Sequence, residues 1–145
     1  MDGIDPIAAQ LTIMSLKARA LRLLDSKDWA GYGQLLTDDF VLDMSAGTGI
    51  PVINGRDAAL KMIQTLLGEV TIVHQAHVPE FDLRGDEALV TWPMQDRLFR
   101  GPGQPSITGY GHHHDRWVRL NGLWKHASLR LTRLHVDVYP PAAVA

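Results

Sequence analysis

The chain changes character once, near Val70, and that change limits its fold more than any motif does. Before it, apolar residues recur at steps of three and four; after it, β-branched and aromatic residues alternate with polar ones in long runs. Ile7, Leu11, Met14, Ala18 and Leu21 follow helical spacing and Pro6 suits a first turn, so a helix is predicted over 6–25. Asp28 is placed to cap a second, short helix ending near Leu36. "FVLDM" reads as a strand, Asn54–Gly55 as a turn, and "RDAALKMIQTLL" as a third helix stopped by Gly68. Strands are predicted near 70–83, 87–99, 106–120 and 123–137, joined by "RGDE", "GPGQP" and "LNGLW" into an antiparallel meander. Helices first and long strands afterwards define an α+β chain, with three helices packed on one face of a strongly bent sheet.

Composition narrows the function. With 46% hydrophobic residues among 145, one core and a single domain over 1–145 suffice. The 14 basic and 16 acidic residues give a net charge of −2 and are mixed along the chain, without the basic stripe that phosphate backbones require, so nucleic acid is not an expected partner. No cysteine is present, which removes disulfides, thiol nucleophiles and thiolate metal sites. "MDGIDP" has neither the basic patch nor the apolar run of a signal peptide, and no segment reaches membrane-spanning length. A soluble, cytoplasmic protein without a membrane partner is the expectation. The tail "PPAAVA" either stays disordered or closes over something.

Asp25 is the first candidate for chemistry. At 100° per residue, Ile7, Leu11, Met14, Ala18, Leu21 and Asp25 lie within about 40° of one direction, so the carboxylate continues what reads as the core-facing stripe. There it must be hydrogen-bonded or have its pKa raised, and the negative end of the helix dipole pushes the same way. The plainer reading is that Asp25 ends the helix by bonding backbone amides of the following turn.

Of the histidines, His74 and His77 sit three apart in "VTIVHQAHVPEF" and point to opposite faces of a regular strand. His74 shares its face with Val70, Ile72 and Ala76 and is the one expected to look inward, although Pro79 signals a bulge or an edge nearby. In "GYGHHHDRWVRL" the alternation groups Gly109, Gly111, His113, Asp115 and Trp117 on one face. The opposite face carries Tyr110, His112, His114 and Arg116. The two glycines leave volume beside His113, which makes it a cavity candidate. His112 and His114 have the spacing of strand-borne zinc ligands but lack an evident third ligand, so no metal is expected and a polar outer face is the better reading.

The order of "LDSKDW", "TDDFVLDM", "NG" before a helix, "VHQAHVPEF" and "GYGHHHDRWVRLNGLWKHASL" resembles the SnoaL-like branch of the nuclear transport factor 2-like superfamily over nearly the whole chain. "DSKDW" and "NGLWKHAS" look most like scytalone dehydratase, and the Asp25 and His74 placement is also similar to that of hexachlorocyclohexane dehydrochlorinase and bile acid 7α-dehydratase. The resemblance implies a cone-shaped α+β barrel enclosing an apolar cavity with an Asp and a His inside. It also implies elimination without metal or organic cofactor, His74 removing a proton from carbon while Asp25 orients the ring. The arginine of the dehydrochlorinase branch would fall close to Arg130, where one residue of offset decides the face. Two tyrosines of scytalone dehydratase are replaced here by Leu24 and Met44, and its pocket asparagine by His113.

Phe40, Met44, Ile53, Met62, Leu66, Trp92 and Trp117 are the residues expected to line an apolar pocket for a small hydrophobic molecule; each is equally an ordinary core residue. The leading expectation is a cofactor-independent lyase or isomerase acting on a hydrophobic cyclic hydroxy or carbonyl compound through His74, Asp25 and His113. A non-catalytic ligand-binding or dimerisation module of the same fold is the alternative, and a metal-dependent hydrolase using His112 and His114 the third. A curved sheet with one uncovered face favours a homo-oligomer, dimer or trimer.

Overall fold

A computed structural model describes residues 3–141, which leaves Ala142–Ala145 of the tail and Met1 and Asp2 outside the described residues. The element order is α1 (Pro6–Asp25), α2 (Trp29–Gln34), β1 (Leu36–Asp43), α3 (Ser45–Thr48), β2 (Ile53–Asn54) and α4 (Arg56–Leu67). Then come β3 (Thr71–Ala76), β4 (Glu80–Arg84), β5 (Glu87–Phe99), β6 (Ser106–Leu120) and β7 (Leu123–Tyr139). Helix α1 begins where Asp5 accepts the N–H of Ile7 at 3.0 Å, ahead of Pro6. Asp28 caps α2 by accepting the N–H of Gly31 at 2.9 Å.

The strands form one open, curved, mixed sheet in the order β2-β1-β7-β6-β5-β3, with β4 also paired to β5. The meander β5-β6-β7 is antiparallel throughout, and Asn121 and Gly122, both at positive φ, make the tight turn between β6 and β7. The segment 70–83 is not one strand: it breaks at His77–Pro79 into β3 and β4, both antiparallel to β5. Pro79 lies in that break because it has no N–H to give a ladder. β1 runs parallel to β7, a long-range pairing that local alternation cannot reveal, and α3 is a helix additional to the three predicted.

Helix α1 buries a different face from the one its apolar spacing suggests. Ile7 is 70% and Leu11 62% exposed, and Met14 and Ala18 also face outward. The buried face is Ala9, Ile13, Lys17, Ala20, Leu21, Leu23 and Leu24, against the concave side of the sheet. One part of the core gathers Leu21, Leu24, Tyr32, Phe40, Leu42, Ile63, Met94 and Leu131; a second gathers Ile13, Val90, Trp92, Trp117 and Trp124. Lys17, 2% exposed, lies between α1 and the sheet and must be satisfied there.

Candidate functional site

β3 ends the sheet, so one side of its backbone has no strand partner. Asp25, the last residue of α1, occupies that side: the backbone N–H of His74 donates to its Oδ2 at 3.1 Å and Oδ1 at 3.3 Å. The ring Nδ1 of His74 lies 2.6 Å from the same Oδ1. A carboxylate only accepts, so Nδ1 carries a proton, and in the neutral form of the ring the lone pair is on Nε2. Lys27, at φ 61 just after the helix, fixes the geometry by donating through Nζ to the carbonyl oxygens of Leu67 and Val70, tying the end of α1 to the start of β3. The pair is partly open, with 10% of the His74 and 27% of the Asp25 side chain exposed. Ala18, Leu21, Arg22, Ala76 and His77 complete the groove above it.

The alternation predicted for β6 matches the structure: Gly109, Gly111, His113, Asp115 and Trp117 are all buried, and Tyr110 and Arg116 are exposed. The His113 ring lies 6.3 Å from that of His74, so the two are neighbours on the concave face. The volume beside the glycines is filled by protein. A Cβ at Gly111 would overlap the Thr132 carbonyl oxygen, where the β6–β7 register shifts, and one at Gly109 would overlap the Arg133 guanidinium and the Asp96 carboxylate. These glycines therefore admit a bulged strand and an ion pair, a correction to the expectation of ligand space.

Behind His113 lies a polar cluster that the sequence reading did not identify. Lys17 Nζ is 3.0 Å from His113 Nδ1 and 2.9 Å from Asp115 Oδ2. Trp117 Nε1 donates to the same carboxylate oxygen at 3.3 Å, and His126 Nε2 stands 3.2 Å from Oδ1. The His126 ring stacks on Trp117 at 4.4 Å between centroids. Burial disfavours the charge on Lys17 and lowers its pKa, against the pull of Asp115. Burial works to raise the Asp115 pKa, but Lys17 and His126 outweigh it and hold the group ionised far below the usual carboxylate range. Burial, then the charge on Lys17, lowers the His113 pKa well below its ordinary value. The signal for this cluster was present: Asp115 shares the inward face with His113, and Lys17 keeps helical spacing with Ile13, Leu21 and Leu24.

The other candidates are dispersed. Arg130 is exposed on the convex face opposite His114, which settles the face that the one-residue offset left open and sets it away from Asp25 and His74. Arg133 is the inward arginine of β7, in a two-pronged pair with Asp96 at 3.0 and 2.8 Å. Phe40 and Trp117 are sealed in the core, Met44 and Ile53 pack on its first part, and Met62 is half-buried on α4. Leu66 is 38% exposed near the end of α4. Trp92 borders the hollow that continues the groove, beside Met14, Val78 and Pro79. His112 and His114 have ring centroids 6.0 Å apart, and His114 Nε2 meets Thr132 Oγ1 at 2.9 Å. Among the described residues no cluster of three or more His, Asp or Glu is arranged to hold a metal ion, and no helix is long and apolar enough to cross a membrane.

Helices packed on one open, curved, mixed sheet define a class of small α+β domains, and comparison with known proteins places the chain within it. The SnoaL-like domain model matches residues 5–130, so the chain belongs to the SnoaL-like family. No curated protein matches it in sequence. Among solved structures, the Kfla4162 protein of Kribbella flavida superimposes with a TM-score of 0.84 at 18% identity, covering 92% of this chain and 95% of that one. A candidate scytalone dehydratase from Novosphingobium aromaticivorans gives 0.81 at 18% identity, covering 96% of each chain. The hexachlorocyclohexane dehydrochlorinase LinA-type3 from Novosphingobium barchaimii gives 0.78 at 17% identity, covering 95% and 93%. At such identities the likeness establishes the fold and leaves activity to the residues themselves.

Proposed function

We propose that the protein is a cofactor-independent lyase or isomerase acting on a small hydrophobic cyclic hydroxy or carbonyl compound. The observation that carries the proposal is the 2.6 Å contact between His74 Nδ1 and Asp25 Oδ1 beside a groove, an arrangement in which a neutral His74 offers the Nε2 lone pair as a base. His74 Nε2 takes a proton from the carbon next to a carbonyl, and the C–H electron pair becomes the C=C of an enolate. His113 supplies a hydrogen bond to the developing oxyanion. In a dehydratase, the enolate re-forms the carbonyl and expels the neighbouring hydroxyl, which takes the proton from His74 and leaves as water. In an isomerase, the same proton returns to a different carbon.

The apolar portion of such a substrate suits the part of the groove formed by Leu21, Ala76, Val78 and Trp92. A panel of hydroxylated cyclic ketones, assayed with wild type, His74→Ala and Asp25→Ala, tests the assignment. Turnover by the wild type and its loss in both variants is the expected result. Equal turnover in all three would sink it, and binding without turnover would favour the ligand-binding alternative.

A further inference from the structure

We propose that Lys17 is a positioning residue whose ammonium, anchored on Asp115, donates to Nδ1 of His113 and so forces the single ring proton onto Nε2, making His113 a neutral donor beside His74. The inference rests on the reading that His113 serves the same site as the Asp25–His74 pair.

The geometry leaves little choice of proton arrangement. Asp115 is completely buried and accepts from Lys17 at 2.9 Å and from Trp117 Nε1 at 3.3 Å; a buried carboxylate so surrounded needs a cation, and of its two basic neighbours Lys17 is the closer and donates to it, while His126 Nε2 stands 3.2 Å from the other oxygen. An ammonium only donates, so the 3.0 Å contact with His113 Nδ1 requires that nitrogen to accept. A neutral imidazole that accepts at Nδ1 carries its proton at Nε2. The groups facing the ring are Lys17 from α1, His74 from β3, Asp115 from its own strand and His126 from β7, while its ladder neighbours Trp92 and Leu131 do not titrate. The Lys17 charge and the burial together oppose a second proton, and the opposing Asp115 charge is already engaged by Lys17. A neutral donor of this kind can polarise a carbonyl without first having to lose or gain a proton.

The test reads the ring directly. Two-bond 1H–15N spectra of the 15N-labelled full chain between pH 8 and 5.5, with His113 assigned from a His113→Asn variant, should show a neutral ring with Nε2–H favoured over Nδ1–H by more than about tenfold. The paired replacement Lys17→Met with Asp115→Asn removes the donor without stranding a charge, and should bring both tautomers or the imidazolium into the spectrum near pH 6. Lys17→Arg, which keeps a cationic donor, should restore the Nε2–H pattern. An Nδ1–H or imidazolium His113 in the wild type at pH 7 overturns the proposal, and so does a paired variant with an unchanged spectrum. Should the variants fail to fold, the wild-type spectrum decides by itself. These spectra need no substrate, so their failure is separable from that of the catalytic reading, which is decided by turnover in His74→Ala.

Discussion

Two carboxylate–imidazole contacts lie on the concave face, and they differ in what surrounds them. Asp25 and His74 meet at a sheet edge with part of both side chains in water, and the histidine keeps a ring nitrogen facing a groove. Asp115 and His126 meet in a closed core where Lys17 neutralises the carboxylate and Trp117 stacks on the ring. The same residue types thus support opposite tasks. Where water reaches, a proton can be exchanged with a substrate at small structural cost. Where it does not, a change of protonation must be accommodated by the whole core, and the groups serve to fix one arrangement.

The contrast is broken most directly by exchanging which property each site loses. His74→Ala is expected to lower turnover by about 10²–10⁴-fold on any substrate found, while a urea melt shifts little, because its ring is at the rim. Lys17→Met should do the reverse in stability, costing about 3–5 kcal/mol in the same melt, because Asp115 is left as an unpaired buried charge. Adding Asp115→Leu to Lys17→Met should recover part of that loss, and a double-mutant cycle that proves additive would refute the coupling.

Acidification sharpens the contrast on the buried side. His113 has a folded pKa below its ordinary value, so its contribution is present above the unfolded pKa near 6.5 and is lost as pH falls below it. Stability should decline from this group by up to about 1.4 kcal/mol per pH unit below 6.5, measured by chemical melts at successive pH values. His113→Asn should flatten that slope. The smallest effect is expected at Arg130→Ala, within about 0.5 kcal/mol of wild type and without change in turnover, since Arg130 is on the outer face.

Legibility in the sequence followed the reach of each signal. Alternation along β6 assigned every inward residue from Gly109 to Trp117, because the pleat has a period of two and a long strand repeats it many times. Asp25 and His74 were singled out from their places on helix and strand, and the structure brings them into contact. The apolar stripe that leads to Asp25 marks the core face only in part: Ile7, Leu11 and Met14 face solvent, and a buried lysine makes the true core face look polar. Lys17 is hard to read as a core residue for that reason, although an inward Asp115 requires a cation somewhere. The parallel pairing of β1 with β7 joins segments some ninety residues apart, and nothing local encodes it. Gly111 shows the limit of composition: a missing side chain signals closeness, and here what comes close is the backbone of β7.

The carboxylate of Asp25 has a consequence for how molecules of this protein meet. By holding the outward N–H of His74 it blocks one bonding position on β3, a terminal strand whose open edge is a template for pairing with another chain. The carboxylate that holds the His74 ring thus also guards against edge-to-edge aggregation. Asp25→Ala should accordingly precipitate on storage more readily than His74→Ala, even at equal loss of activity.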